Sequence, residues 1–395
     1  MGIDAVSKQA KANVLVVGLG PFSLEVTKNI VLSGCRRLTI HDNSTVTLTD
    51  LSGGFFYSES DVGKKRVQSI LNKIQELNQY VKVDVMPELN PTQLKGYDVV
   101  FVTETPLTVQ VELNDYCRQN GIRFISADCA GPYSRLFNDF GKFEVLDKNG
   151  EEAVEVMIKN ITTAEKAVVT LLDGAKHPFE DGEVVIIKGV DGMEIVDLDK
   201  PVQQGQEQLK SINGTLHKIE TINSNSFRIG STLPFKPYVR NGTAKNLKLP
   251  ITMEFPSLKE VLQLPDDKLP LDDNLQTYDF VKMESSRTVS SCFRALDEFN
   301  SKESRPPIAW SFDDSELFLK YFKQFSTEEL DGKVEKFVRT FSLVCQGSLP
   351  PLCAFWGGFV SQEIIKAITQ KFKPTKSLFF CEFSELVQDL PTEVK

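Results

Sequence analysis

The sequence contains little histidine, and its cysteines show no pairing pattern. Only three histidines occur among 395 residues, so a histidine-based zinc site or an acid–base relay has little material. The seven cysteines are scattered, without a C-x-x-C motif or a close pair. This odd count and the absence of a signal peptide favour reduced, buried thiols and a cytoplasmic or nuclear location. We expect no metal site in the chain.

Long apolar runs and an excess of positive charge are also absent. No apolar run approaches the roughly 20 residues that a membrane-spanning helix needs, so we expect no membrane span. The formal net charge of −9 argues against nucleic acid as the main partner. A chain of 395 residues is long enough for two to four domains with substantial cores.

The clearest pattern lies between residues 13 and 42. Val14 to Val17 is a continuous aliphatic run, which is typical of a buried parallel strand. Gly18 and Gly20 follow, and then come a helical pattern, a second strand and Asp42. A strand, a glycine turn, a helix, a strand and an acidic residue form the first half of a nucleotide-binding βαβ unit. Gly18, Gly20 and Asp42 are therefore the candidate nucleotide-binding residues.

The two glycines have different roles in such a turn. The first permits the tight turn, and the second lets the backbone approach a phosphate at a helix N-terminus. The third glycine of the G-x-G-x-x-G pattern would fall at position 23, where this chain has Ser23. The pattern indicates nucleotide-binding ancestry without showing that the site is functional.

Alternating strands and helices up to residue 126 predict a doubly wound, mostly parallel sheet. Before it, the first twelve residues are predicted to have no regular structure. The predicted elements after Asp42 are a helix over Val62–Leu77, strands over Val81–Met86 and Tyr97–Thr103, a helix over Val109–Asn120 and a strand over Ile122–Ser126.

The pattern changes near Gly131 to short β runs separated by turn residues. They predict a small β barrel or sandwich inserted in the chain, so that residues 1–150 form the first part of the α/β domain and residues 151–254 a β module. Glu180 to Lys200 contains seven acidic residues and two lysines. This stretch is either a solvated face or a docking surface for a basic partner.

Residues 255–345 are predicted to be helical and residues 346–395 to return to the α/β domain. The helices have apolar residues at three- and four-residue spacings and suggest a four-helix bundle: Ser257–Leu264, Arg287–Phe299, Asp314–Phe325 and Thr327–Val344. A later helix contains Gly357-Gly358, which indicates close packing, and Ser377–Phe383 is a closing strand. Both modules are thus predicted to be insertions into one α/β domain.

Several stretches resemble the N-terminal half of eukaryotic ubiquitin-activating enzymes: VLVVGLG, EVTKNIVLSGCRRLTIHD, DLSGGFFYSESDVGKKR, GIRFISAD and PLCAFWGGFVSQEIIKAITQKFKPTKS. The resemblance runs from Ala12 to Leu390, and its last motif is the most specific. It implies a Rossmann-like, ThiF/MoeB-type adenylation domain that does not itself adenylate, a first catalytic-cysteine half-domain and a four-helix module.

Departures from the active copies of this fold support the inactive assignment. Asp42 matches the ribose-binding carboxylate, but Asp50 stands at an asparagine position, Gly53 at the phosphate-binding arginine and Gly54 at a glutamine. Arg66 stands where active copies have a lysine, so one positive charge persists.

The magnesium-binding aspartate of active copies matches Thr105, beside Glu104. Losing donors and adding a carboxylate disfavours phosphate binding. We therefore expect no catalytic residue, no metal and no bound cofactor in this chain. The family's opening arginine is also missing, since no arginine precedes Arg36, and this suggests a fragment.

For the whole protein the resemblance implies ATP-dependent adenylation of the ubiquitin C-terminus, followed by thioester formation. ATP and magnesium are expected in a missing active adenylation domain. That domain and ubiquitin are the expected partners, and this portion would serve as scaffold and ubiquitin-facing wall. An alternative is a separate scaffold subunit of a heterodimeric activating enzyme for a ubiquitin-like modifier. A third hypothesis, an NAD-dependent oxidoreductase, is supported by the glycine turn alone.

Other reactive or charged residues have structural interpretations. Cys292 and Cys353 are expected to be buried structural thiols, and His177 and His217 lie in turns of the β module without a visible partner. Arginines 37 and 123 begin strands, where they face either a neighbouring domain or solvent.

Overall fold

A computed structural model describes residues 2–195, 211–269 and 285–387. Its strands are β1 Asn13–Val17, β2 Arg37–His41, β3 Lys82–Val85, β4 Val99–Val102, β5 Arg123–Ala130, β6 Tyr133–Asp139, β7 Lys142–Val145, β8 Glu155–Ile161, β9 Val168–Leu171, β10 Val184–Lys188, β11 Asp191–Gly192, β12 Leu216–Lys218, β13 Glu220–Asn223, β14 Ser226–Arg228, β15 Tyr238–Arg240, β16 Thr243–Leu247, β17 Ile251–Glu254 and β18 Leu378–Glu382. Its α-helices are α1 Ile3–Gln9, α2 Pro21–Ser33, α3 Leu48–Gly53, α4 Arg66–Leu77, α5 Leu107–Gln119, α6 Leu258–Leu262, α7 Ser285–Glu303, α8 Phe312–Phe325, α9 Gly332–Val344 and α10 Pro350–Thr369. None of the helices within these ranges combines the length and apolar character of a membrane span.

The central sheet has seven strands in the order β18-β6-β5-β4-β1-β2-β3. The five strands from β5 to β3 are parallel; at one edge β6 pairs antiparallel with β5, and β18 pairs antiparallel with β6. The predicted α/β class with a mostly parallel sheet is confirmed. The strand order reverses at β1, which lies between β2 and β4. Ligands of such sheets bind beyond the carboxyl ends of the strands at this switch point.

Residues of β1 alternate between two hydrophobic cores, one on each face of the sheet. Val14 and Val16 belong to the first core, which also contains Trp356 of α10. Leu15 and Val17 belong to the second core, together with Phe293 of α7. Both faces are therefore covered, and this is why the strand is a continuous aliphatic run.

The first core brings α10 close to α2, as the glycine pair predicts. A Cβ atom built on Gly357 would lie 2.6 Å from Cβ of Glu25 in α2. Only glycine permits this approach. A Cβ atom on Gly358 would meet nothing within 4 Å, so the close packing involves one of the two glycines.

Helices α6 to α9 belong to the same compact unit as the sheet, which comprises Met1–Val145 and Thr252–Lys395. We call this the sheet unit. Three helices lie close to their predicted positions, but α9 begins at Gly332 rather than Thr327 because Asp331 caps it, accepting the Lys333 and Val334 N–H groups at 2.9 and 2.8 Å. Part of the predicted bundle, residues 270–284, lies outside the described residues, as do residues 388–395 of the predicted return segment. The bundle as a separate inserted module stays a prediction.

The N-terminal segment forms α1, so its prediction as irregular is wrong. Ala5 and Gln9 are buried, and Gln9 Nε2 donates to the Ser33 carbonyl oxygen at 2.7 Å. Lys8 Nζ donates to Gln370 Oε1 at 2.7 Å, beyond the end of α10. A helix this short is stabilised by packing rather than by local propensity, so the local sequence could not reveal it.

Leu146–Ile251 form a second compact unit, which we call the β unit. Seven strands form an antiparallel sheet in the order β12-β10-β16-β8-β9-β14-β13 around a core that includes Val169, Ile187 and Phe227. This strand order has two ends, so closure into the predicted barrel stays a prediction.

Candidate functional site

The glycine turn connects β1 to α2 at the switch point of the sheet. Gly18 has φ +89°, in the left-handed region that favours glycine, and its N–H donates to the His41 carbonyl oxygen at 2.9 Å. Gly20 is the N-cap of α2, and Pro21 is the first helical residue. The chain therefore builds the predicted turn and directs a helix N-terminus to the carboxyl end of β1.

Ser23 occupies the position of the third glycine in the pattern. Its side chain is fully buried, and Oγ donates to the Gly18 carbonyl oxygen at 2.7 Å, with the Gly20 carbonyl oxygen 3.0 Å away. The hydroxyl thus satisfies a carbonyl group of the turn from within α2. The serine stabilises the turn.

Asp42 follows β2 and is bound to its own chain. Its Oδ2 accepts the Leu19 N–H at 2.7 Å, inside the glycine turn, and its Oδ1 accepts the Ser44 N–H at 2.6 Å. The side chain is 4% exposed. The predicted ribose-binding carboxylate is thus adjacent to the turn, as the pattern requires, but its oxygens already accept main-chain hydrogen bonds.

Arg66, the first residue of α4, is the centre of the site. Its Nη1 lies 3.2 Å from Asp42 Oδ2 and 2.7 Å from Glu104 Oε2. Its Nη2 lies 2.6 Å from Asp50 Oδ1, and its Nε donates to Asp50 Oδ2 at 3.3 Å. Burial alone lowers the pKa of Arg66, but Glu104 and Asp50 together raise it above its ordinary value. The predicted residual positive charge is present, and three carboxylates neutralise it.

Asp50 also has a second role, in capping α3. Its Oδ2 accepts the Thr47 N–H at 2.8 Å, completing a capping box at the start of that helix. Its carboxylate therefore both stabilises the loop after β2 and binds Arg66.

Glu104 follows β4 and lies against the glycine turn. A Cβ atom on Gly20 would lie 1.8 Å from Glu104 Oε1, so the carboxylate is in contact with the main chain at Gly20. Glu104 has φ +50°, which is uncommon for a residue with a side chain. Its N–H donates to Asp128 Oδ1 at 2.9 Å.

Gly53 leaves no space for a larger side chain on one side of the turn. A Cβ atom on Gly53 would lie 2.0 Å from Ser348 Oγ and 2.6 Å from Pro21 Cβ. Gly54 is less confined, because a Cβ atom there would lie 3.7 Å from Pro21 Cβ, at ordinary contact distance. An arginine at position 53 would therefore require the backbone to move.

A second set of charges supports the loop after β4. Asp128 accepts hydrogen bonds from Thr103 Oγ1 and from Arg135 Nε, both at 3.0 Å. Thr105, at the predicted metal-ligand position, donates its hydroxyl to the Thr103 carbonyl oxygen at 2.8 Å. These contacts, together with Glu104 as a partner of Arg66, could not be predicted from the sequence. Only the position of Glu104 directly after a buried strand pointed to the site.

The buried thiols agree with their predicted structural role. Cys292 and Cys353 are both buried and free, and burial raises the pKa of each thiol. Arg37 Nε pairs with Asp84 Oδ2 at 2.9 Å and remains 44% exposed at its side chain, whereas Arg123 is half-buried.

In the β unit the histidines do have partners. His177 stacks on Phe179, and its Nε2 lies 3.4 Å from the Ser226 carbonyl oxygen. His217 contacts the Thr215 hydroxyl, and burial lowers its pKa.

The acidic stretch Glu180–Lys200 is partly neutralised within the β unit. Lys148 Nζ lies 3.2 Å from Glu180 Oε2 and 3.5 Å from Glu183 Oε1. Residues 196–200 lie outside the described residues. The choice between a solvated face and a docking surface stays open.

A comparison with protein families matches residues 1–393 to the ThiF family. Relatives include ubiquitin-like modifier-activating enzyme 6 of Homo sapiens, 37% identical over 99% of this chain and 36% of that protein. Ubiquitin-activating enzyme E1 1 of Arabidopsis thaliana is 32% identical over 99% of this chain and 35% of that protein. Ubiquitin-like modifier-activating enzyme 1 of Dictyostelium discoideum is 32% identical over 98% of this chain and 36% of that protein. The chain spans about a third of the length of these curated relatives.

Proposed function

Because the chain belongs to the ThiF family, we propose that it is the N-terminal, non-adenylating portion of a ubiquitin-activating enzyme. The similarity to activating enzymes of ubiquitin and ubiquitin-like modifiers, over nearly the whole chain, supports the enzyme class. In the whole protein, ATP would drive adenylation of the ubiquitin C-terminus, and thioester formation would follow. A second, active adenylation domain would bind ATP and magnesium.

One observation carries the non-adenylating part of the proposal: three carboxylates surround Arg66 at the glycine turn. Phosphoryl groups need cationic or neutral donors around them, because negative charge is spread over their oxygens. Here a surplus of negative charge faces the place where phosphates would lie. The residues at this turn therefore do not fit a nucleoside triphosphate.

The residues also do not fit the magnesium ion that accompanies ATP. Thr105 offers a hydroxyl where active copies have an aspartate, and that hydroxyl donates to the Thr103 carbonyl oxygen. Among the described residues, no three Asp, Glu, His or Cys side chains are arranged to hold a metal ion.

The role that remains for this chain is structural: it would contact the partner domain and ubiquitin. The sheet unit would pair with the active adenylation domain and form part of the wall that faces ubiquitin. Residues 151–254 would be the first catalytic-cysteine half-domain, and residues 255–345 the four-helix module. A cytoplasmic or nuclear location fits the buried thiols of Cys292 and Cys353.

The test is ubiquitin-dependent exchange of labelled pyrophosphate into ATP by the purified chain. We expect no exchange above background, because losing even one preorganised donor costs about a hundred- to thousandfold in rate. An enzyme that contains both adenylation domains is the positive control. Exchange by this chain alone would overturn the assignment. ATP binding to the chain, measured by calorimetry, should likewise be undetectable.

A further inference from the structure

The space over Gly20 is filled by the chain itself. Glu104 Oε1 lies so close to the Gly20 backbone that a Cβ atom there would be 1.8 Å away. In a turn of this kind the second glycine allows an anion to approach the backbone at a helix N-terminus. The anion that approaches Gly20 in this chain is a side-chain carboxylate.

Two contacts hold Glu104 in this position. Arg66 Nη1 lies 2.7 Å from Glu104 Oε2, and the Glu104 N–H donates to Asp128 Oδ1 at 2.9 Å. The residue has φ +50°, a conformation that costs free energy for a residue with a side chain. The contacts of its carboxylate and its N–H offset that cost.

Each guanidinium nitrogen of Arg66 already binds a carboxylate. Its Nη1 binds Asp42 and Glu104, and its Nη2 and Nε bind Asp50. The one guanidinium group of this cluster is therefore engaged by the chain's own carboxylates.

We propose that the Glu104 carboxylate is an internal ligand of the glycine turn, which fills the space over Gly20 and closes this site to phosphate-containing ligands. This inference rests on the proposed function, and it names the physical cause of the lost nucleotide binding. The turn keeps its anion-binding geometry, and the Glu104 carboxylate of the same chain occupies it. Removing that anion and one neighbouring repulsive charge should let an external anion enter.

The test uses the full chain with Glu104→Gly, alone and combined with Asp50→Asn. Glycine suits φ +50°, and asparagine can still accept the Thr47 N–H, so both changes are compatible with the fold. Inorganic phosphate is the probe, titrated by calorimetry and by thermal unfolding against chloride at equal ionic strength. We expect the double variant to bind phosphate about tenfold or more tightly than the unaltered chain.

Two control variants separate the effect of the filled space over Gly20 from the effect of the carboxylate charges. Glu76→Ala removes an exposed carboxylate from α4, the helix of Arg66, and should leave phosphate binding unchanged. Asp50→Asn with Glu104→Gln removes the same charges as the double variant but keeps the space filled, so it should gain little.

The inference is overturned if the unaltered chain binds phosphate as tightly as the glycine double variant, or if the glutamine variant gains equally. Pyrophosphate exchange by the unaltered chain would instead count against the proposed function. The two failures are therefore distinguishable.

Discussion

Arg135 and Asp297 form a two-bond ion pair that joins β6 to α7, although 162 residues separate them. Arg135 Nη2 lies 2.9 Å from Asp297 Oδ1, and the guanidinium lies over the ring of Phe293, 5.1 Å from its centroid. Arg135 also binds Asp128, which holds the N–H of Glu104. The helical segment is thus connected to the loop after β4 through a short chain of charged groups.

Breaking this pair should destabilise the fold. Asp297→Asn removes the charge and leaves Arg135 with Asp128 alone, so we expect a loss of about 2 kcal/mol in the free energy of unfolding by urea. Glu298→Gln is the matched control on the same helix, because its ion pair with Lys302 is long, at 3.7 Å, and partly exposed. The control should change stability by less than about 0.5 kcal/mol. Equal effects of the two substitutions would show that the Arg135–Asp297 pair adds nothing.

Alanine substitutions at the two adjacent glycines of α10 should change the stability of the protein in opposite directions. Gly357→Ala forces a Cβ atom to within 2.6 Å of Glu25 Cβ and should cost about 1–3 kcal/mol by overpacking. Gly358→Ala meets open space and should stabilise the helix by about 0.5–1 kcal/mol. Thermal unfolding of both variants measures the difference. A stabilising Gly357→Ala would contradict the close contact between α2 and α10.

Removing the β unit should leave the sheet unit folded. Strands β7 and β17 pair with each other, and the Phe255 N–H donates to the Gly141 carbonyl oxygen at 3.0 Å. The chain therefore leaves and re-enters the sheet unit at neighbouring points. Replacing residues 147–250 with a short glycine–serine linker should retain a cooperative unfolding transition, measured by circular dichroism.

Removal of the helices is the contrasting experiment. Deleting residues 285–344 removes Phe293 and Phe341 from the second core of the sheet. We expect that protein to lose cooperative unfolding, because a large part of one face of the sheet becomes exposed. If both deletions behave alike, the helices contribute no more to the sheet than the β unit does.

Asp314 should make stability dependent on pH. Its carboxylate accepts bonds from Arg305 at 2.6 and 2.9 Å and from the Ile308 N–H at 2.7 Å, and these bonds lower its pKa below the ordinary value. A lowered folded-state pKa contributes stability above the unfolded pKa of about 3.9 and loses it as pH falls.

Asp314→Asn should therefore destabilise the protein most at neutral pH, by about 1–2 kcal/mol, and the difference should shrink below about pH 4. Asp313→Asn, at an exposed neighbouring position, is the control and should show a smaller effect at neutral pH. Urea unfolding between pH 3 and 7 provides the comparison. A difference that grows towards low pH would contradict this assignment.

Local patterns predicted the elements that depend on local chemistry. The run Val14–Val17 corresponds to β1 at residues 13–17, and the turn residues Gly18 and Gly20 lie where the pattern places them. The missed helix α1 depends on contacts with Ser33 and Gln370, which are distant in the sequence. Hydrophobic periodicity carries no information about such contacts.

The same limit applies to the site. Family resemblance predicted that Asp42, Asp50 and Arg66 belong to one site, and the structure brings all three together. It did not reveal that Glu104 turns back over Gly20, because that position depends on a left-handed backbone at residue 104 and on Asp128 from the neighbouring strand. Side-chain pairing between separate strand ends is decided by tertiary structure.

Gly53 has a consequence for how this chain could evolve. Because its backbone packs against Pro21 and Ser348, replacing Gly53 with the arginine that the family resemblance places at this position would first produce a steric clash rather than a phosphate contact. A chain with this single substitution should lose stability without gaining a phosphate contact. Compensating changes at the contacting positions would have to come first. The close packing at Gly53 would therefore make the proposed loss of nucleotide binding hard to reverse.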